Sequence, residues 1–247
     1  MIPKTIHYIW FGEVAKPKHV LDTVESWHKK LPDYEIIEWN ESNFDVTQHP
    51  WMKRMYNEGK FAFASDWARL KILEKQGGIY LDTDVEIHKT FETFRKHRMF
   101  WGFEYETYLA TSTIGSEPNH PFLTSLLALH DHLSEAEINN IITTRHFLET
   151  FEEFRLNNSR QVLPEGIEVY PKEYFSVPTK NTEAGFCRHH GTNLWRGGKR
   201  SSILKNLVRK VLGEANYFKL VAWKVNRASQ FYPVYQKHKT KSNYGNT

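Results

Sequence analysis

The chain has 247 residues, 40% hydrophobic and 15% aromatic, enough to close one full-sized core and too few for two large domains. Its net charge of +4 hides a division: residues 196–247 carry twelve Lys or Arg against Glu214 alone, so the body before them is acidic and the tail basic. The single cysteine, Cys187, excludes an internal disulfide framework and reads as a small packing residue. No window reaches the roughly 18 apolar residues of a membrane span, and the N-terminus has no signal-peptide pattern, so a soluble or peripheral protein is expected, cytoplasmic or on the inner face of the cell membrane.

In chain order, Thr5-Ile6-His7-Tyr8-Ile9-Trp10 is a β-rich apolar run ending at Gly12. Val20, Leu21, Val24 and Trp27 then recur at helical spacing until Pro32, and Tyr34–Trp39 is a second strand, which makes a strand-helix-strand unit of the kind that builds parallel sheets. A loop is expected around Pro50. From Phe61 to Gln76 the apolar positions Ala64, Trp67, Ala68, Leu70 and Leu73 predict a helix closed by Gly77-Gly78. A strand over Ile79–Val85 follows at once. Further strands are expected near 99–103, 110–115 and 167–170, and helices over 121–133 and 143–156. The class is α/β, without repeats or low-complexity stretches.

Alternation along the strand expected at Ile79–Val85 sets Tyr80, Asp82 and Asp84 on one face. Two hard oxygen ligands at the end of a buried strand suit Mg2+ or Mn2+, the remaining positions being filled by water and phosphate. An Asp-x-Asp alone is equally a solvated turn, and Asp66 with Arg69 at i, i+3 is equally a surface ion pair worth about a few tenths of a kcal/mol.

Three blocks in order carry a resemblance: Ile2-Pro3-Lys4-x-Ile6-His7-Tyr8-Ile9-Trp10-Phe11-Gly12, Phe63-Ala64-Ser65-Asp66-x-x-Arg69, and Gly77-Gly78-Ile79-Tyr80-Leu81-Asp82-Thr83-Asp84. Together they resemble the DXD-containing glycosyltransferase family 32 and the related glucosylating bacterial toxins. The resemblance implies a GT-A type fold, a Rossmann-like mixed sheet flanked by helices, as a catalytic domain over 1–195 with a basic helical extension over 196–247. It implies transfer with retention from a nucleotide sugar, a UDP-linked hexose or N-acetylhexosamine, to a saccharide or lipid-linked acceptor in bacterial capsule, exopolysaccharide or lipopolysaccharide assembly.

By the same resemblance Trp10 would stack on the base, with Ile9 offering backbone contacts. Asp66 and Arg69 would bind the sugar or ribose, Ser65, Tyr80 and Thr83 would line the site, and Asp82 and Asp84 would engage ribose and the Mn2+ or Mg2+ ion, with Arg69 adding positive potential. A late block, Cys187-Arg188-His189-His190-Gly191-Thr192-Asn193-Leu194-Trp195, resembles the family's His-His segment ending in Trp, so that His189 or His190 would supply a third metal contact; Leu194 stands where many members have Ser. Without the resemblance, Trp10 is a core aromatic at a strand end and the paired histidines are solvated.

In the tail, Ile203-Leu204, Leu207-Val208 and Val211-Leu212 form an apolar stripe opposite Lys205, Arg209 and Lys210. This arrangement suits an anionic membrane surface, or else packs on the body. No nucleic-acid-binding signature accompanies the basic residues, so nucleic acid is not an expected partner. The alternatives to a transferase are a nucleotide-sugar or anionic-surface binding module and a nucleotide-sugar hydrolase.

Overall fold

The structure, a computed structural model, describes residues 1–177, 183–191 and 210–244. Its centre is an eight-stranded mixed sheet in which β1 (Thr5–Ile9), β2 (Glu35–Trp39), β3 (Gly78–Leu81), β5 (Met99–Tyr105), β7 (Thr113–Ser116), β8 (Gln161–Leu163) and β9 (Ile167–Tyr170) run in the order β2-β1-β3-β7-β5-β9-β8, with β6 (Tyr108–Leu109) paired to β5. The β1 strand is parallel to both β2 and β3, as the opening strand-helix-strand unit requires, and β3 is antiparallel to β7. A separate ribbon pairs β4 (Val85–Ile87) with β10 (Cys187–His189).

Helices cover both faces. α1 (Lys18–Lys30) buries Val20 and Trp27, and Trp27 joins Ile6, Tyr8, Ile79, Leu81, Phe91, Phe94 and Phe100 in one core layer. The other layer lies under α2 (Pro50–Asn57), α3 (Phe61–Gln76), α4 (Pro121–Ala128) and α5 (Asn139–Thr150), where Trp67, Leu70, Leu73, Trp101 and Phe147 interlock. The loop expected around Pro50 is a helix instead. Pro50 occupies its first turn, where a missing N–H costs nothing, and the His49 ring caps it by accepting from Met52 N. The 121–133 helix is α4 followed by a 3-10 turn over Leu129–His132, and the helix expected over 143–156 begins earlier, at Asn139. Cys187 is buried in the first layer, as a packing residue.

Of the tail, α7 (Glu214–Ala228) and α8 (Tyr232–Tyr244) pack on the body, since Asn226 and Phe231 are buried and Phe231 belongs to the main core; α6 (Lys172–Phe175) lies against β5. The expected stripe at Ile203, Leu204, Leu207 and Val208, together with Leu194 and Trp195, lies outside the described residues. Among the described residues no helix is long and apolar enough to cross a membrane.

Two buried histidines tie this frame to pH. His7 donates from Nε2 to Gly77 O (2.9 Å) and accepts at Nδ1 from Trp39 Nε1 (3.1 Å), which fixes one neutral tautomer. His130 donates from Nδ1 to Leu126 O (3.3 Å), while its Nε2 is buried with no hydrogen-bond partner among the described residues. Burial lowers both rings to about 4. An unfolded ring titrates near 6.5, so the stability held by the neutral forms is whole above that pH and is lost as pH falls toward 4, by about 2 kcal/mol per ring at pH 5. Thermal melts at pH 7 and pH 5 should show this fall, and His130→Leu should show a smaller one; equal falls would remove His130 as a source.

Candidate active site

The Asp-x-Asp segment is a turn and not the continuation of a strand. Alternation holds only to Leu81: Ile79 and Leu81 face the α1 layer and Tyr80 the opposite one. There the chain bends, with Val85 N donating to Asp82 O (3.0 Å) across four residues. The bend is pinned from outside by Asp82 N to Ser112 O (2.9 Å), His190 N to Asp84 O (3.1 Å) and Trp27 Nε1 to Val85 O (2.8 Å). The two carboxylates therefore converge because a turn brings them together. Pairing of His189 with Val85 in the β4–β10 ribbon then sets the imidazole beside Asp84.

Behind the turn, α3 delivers Arg69, 5% exposed and fully engaged. Its Nη1 donates to Thr111 O (2.6 Å) and lies 3.3 Å from Asp82, its Nη2 lies 2.8 Å from Asp66, and its plane sits 4.5 Å from the centre of the Tyr80 ring. Tyr80 in turn donates its hydroxyl to Asp82 (2.9 Å). Burial works against the Arg69 charge, yet Asp82, Tyr80 and Asp66 outweigh it and hold the guanidinium above its usual range. Burial pushes Asp66 up to about 7 against the pull of Arg69, and holds Glu104 above the ordinary carboxylate range against the pull of His189. His189 is drawn the other way: despite burial, Asp84 (3.2 Å) and Asp82 (3.9 Å) raise it to about 9.

These groups face a cavity of about 580 Å³. Of the residues singled out in the sequence, Ile9, Trp10, Ser65, Asp66, Arg69, Tyr80, Asp82, Thr83, Asp84 and His189 all line it. The Trp10 N–H is taken by Val14 O (2.8 Å), and the Ser65 hydroxyl is returned to Phe61 O (2.8 Å) on its own helix. His190 does not line the cavity; its Nε2 meets Glu86 at 2.9 Å, on the ribbon's other side chain row. Sequence reasoning passed over Glu104, Asn139, Asn140, Tyr105, Tyr108 and Val225, which also line it. Glu104 left a signal, a carboxylate closing the otherwise apolar strand Met99-Phe100-Trp101-Gly102-Phe103; Asn139 and Asn140 left only a polar pair at a helix start.

One ligand atom each from Asp82, Asp84 and His189 lie within 4.8 Å of one another. Two carboxylate oxygens and an imidazole nitrogen fit a divalent cation of the manganese or magnesium type, with open positions for phosphate. Among the described residues the other charged groups on the cavity are Asp66, Glu104 and Arg69, an arrangement short of positive charge.

Residues 17–101 match the family described as glycosyltransferase sugar-binding region containing DXD motif. An inositol phosphoceramide mannosyltransferase of Schizosaccharomyces pombe is 30% identical over 126 residues, 49% of this chain and 35% of that protein, so the match spans about a third of the relative's length. An uncharacterised glycosyltransferase of Acanthamoeba polyphaga mimivirus is 28% identical over 181 residues, 64% of this chain and 68% of that one. Among solved structures, the PaToxG glycosyltransferase superposes with a TM-score of 0.52 at 23% identity, covering 60% of this chain and 68% of that one, which supports the fold.

Removing the guanidinium would leave Asp66 and Asp82 facing each other without their shared partner. Arg69→Gln is expected to cost about 3–5 kcal/mol in urea unfolding, the scale for breaking a buried ion network. A loss below about 1 kcal/mol would show that Arg69 does not hold the two carboxylates.

Proposed function

From the premise that this chain carries the DXD-containing sugar-binding region of the glycosyltransferases on a GT-A type fold, we propose that it transfers a hexose or N-acetylhexosamine from a nucleotide-sugar donor, UDP-linked, to a hydroxyl of a saccharide or lipid-linked acceptor, with retention and with a divalent metal held by Asp82, Asp84 and His189. One observation carries this reading: the three ligand groups meet within 4.8 Å on the wall of a cavity large enough for a nucleotide sugar, with Arg69 locked behind them.

When bound, the cation supplies neutralisation of the diphosphate's charge as it leaves. In the transfer, the bond from the anomeric carbon to the phosphate oxygen breaks with its electron pair passing to the diphosphate. The acceptor oxygen bonds to that carbon from the same face, and its proton passes to the released phosphate oxygen. Retention rests on the family resemblance. The chain's own part is to bind and orient. Arg69 is held by Thr111 O, Asp66, Asp82 and the Tyr80 ring, so it serves as a fixed support for Asp82 and Asp66 rather than as an arm that swings to phosphate. Asp66, at about 7, is shared between its two protonation states near neutral pH, and so suits a sugar hydroxyl as donor or acceptor. Trp10 offers its ring to the base while Val14 O holds its N–H.

The name of the S. pombe relative supports a mannose donor and an inositol-bearing lipid acceptor as members of the class to be tested. A role in surface polysaccharide assembly, in the cytoplasm or at the inner face of a membrane, belongs to the same proposal; the exposed Lys210, Lys219, Lys224 and Arg227 support an anionic surface.

Calorimetric titration of UDP- and GDP-sugars with and without Mn2+ tests the reading, on wild type and on the Asp82→Asn/Asp84→Asn double variant. One donor should bind only with metal, and the double variant should lose it by a hundredfold or more. If no nucleotide sugar binds under any condition, the proposal fails, and if one binds equally without metal, the assigned role of the three ligands fails.

A further inference from the structure

We propose that Glu104 and Asn140 hold the acceptor, forming a subsite for a neutral, polyhydroxylated ring, a pyranose or cyclitol, whose hydroxyl receives the sugar. This rests on the glycosyl-transfer reading above and deepens it.

Asn140 Nδ2 donates to Glu104 Oε2 at 3.1 Å, and both side chains line the cavity. Glu104 is close enough to the cluster for the charges of His189, Asp82 and Asp84 to act on it. A diphosphate cannot settle against this side, since another carboxylate would repel it. The ligand here must be uncharged and must donate hydrogen bonds, as sugar and cyclitol hydroxyls do. Beside the pair, Asn139 is 2% exposed and lines the cavity, its amide turned toward the Asp66 carboxylate. A carboxylate acceptor flanked by amide donors, with Tyr105 and Tyr108 on the same wall, matches a ring that presents hydroxyls at its edge and C–H groups on its face.

Rigidity supports the assignment. The hairpin that follows Glu104 is pinned by Asn226 of α7, whose Oδ1 accepts from Thr107 N (3.1 Å) and Thr107 Oγ1 (2.8 Å) and whose Nδ2 donates to Glu106. Glu106 is held in turn by Lys172 (2.6 Å). All of these residues lie beyond position 101, where the match to the DXD region ends.

Saturation-transfer NMR with methyl α-mannopyranoside, methyl β-glucopyranoside and myo-inositol tests the subsite, in the presence of Mn2+ and whichever of UDP or GDP binds. At least one probe should bind wild type, and Glu104→Gln should weaken it tenfold or more while nucleotide affinity changes less than threefold, which also shows the variant to be folded. Three outcomes overturn the inference. No probe binds although the nucleotide does, which would leave a peptide hydroxyl as the acceptor; the variant binds the probes as wild type does; or the variant loses nucleotide affinity as far as probe affinity, which would put Glu104 on the donor. Absence of metal-dependent nucleotide binding would instead bring down the transferase reading, and this inference with it.

Discussion

Among the described residues, a shortage of positive charge governs the cavity. Asp66, Asp82, Asp84 and Glu104 face one cavity, answered there by Arg69 and His189. Burial lifts Asp66 to about 7 and holds Glu104 above the ordinary carboxylate range, while the neighbouring acids overcome burial to draw His189 up to about 9 and hold the guanidinium above its usual range. Proteins rarely bury such a set without a partner, because uncompensated buried charge costs several kcal/mol per ion. A divalent cation at Asp82, Asp84 and His189 would relieve most of the excess while leaving open positions for a phosphate. Charge balance and the proposed chemistry thus ask for the same group.

The fold fixes the backbone of the turn as well as giving the acids side-chain partners. Three hydrogen bonds from distant parts of the chain and one within it pin the Asp82–Val85 turn, and they come from α1, from Ser112 and from the strand bearing His189. Entry to β3 is fixed as tightly. His7 donates to Gly77 O, and Gly78, at φ +96°, lies so close that a Cβ there would stand 2.6 Å from the His7 ring and 2.8 Å from Thr5 O. The separated blocks Ile6-His7-Tyr8 and Gly77-Gly78-Ile79 are therefore two halves of one contact, which explains in physical terms why they occur together.

What could be read from the sequence was whatever local periodicity or a motif determines. The helix Phe61–Gln76 and its end at Gly77 follow from apolar spacing and a left-handed glycine, and the opening strand-helix-strand unit follows from alternation and a proline stop. The Asp82–Val85 turn was hidden because Leu-Asp-Thr-Asp-Val also reads as alternation; its bend is imposed by Ser112 and Trp27, which are remote in sequence. The α2 helix was hidden because a proline reads as a break unless its capping histidine is known to be in place. Glu104, Asn139 and Val225 reach the cavity only through tertiary packing, and no local pattern could collect them. His190 shows the converse: beside His189 in sequence, it is carried to the opposite side by strand alternation and meets Glu86.

The C-terminal helices α7 and α8 are joined to the wall of the site by inward contacts. Asn226 spends both ends of its amide on the Thr107 hairpin, Val225 beside it lines the cavity, and Phe231 enters the main core next to Tyr108. Those inward contacts fix the helix in rotation as well as in place. Its outer face, with Leu220 and Trp223 exposed among Lys219, Lys224 and Arg227, therefore has a set direction relative to the cavity mouth. A surface that engaged this face would meet the cavity at one angle only, and an acceptor borne on that surface would reach Glu104 in a restricted set of orientations. Orientation of that kind is what a transferase must impose on an acceptor and what a simple binding module does not need.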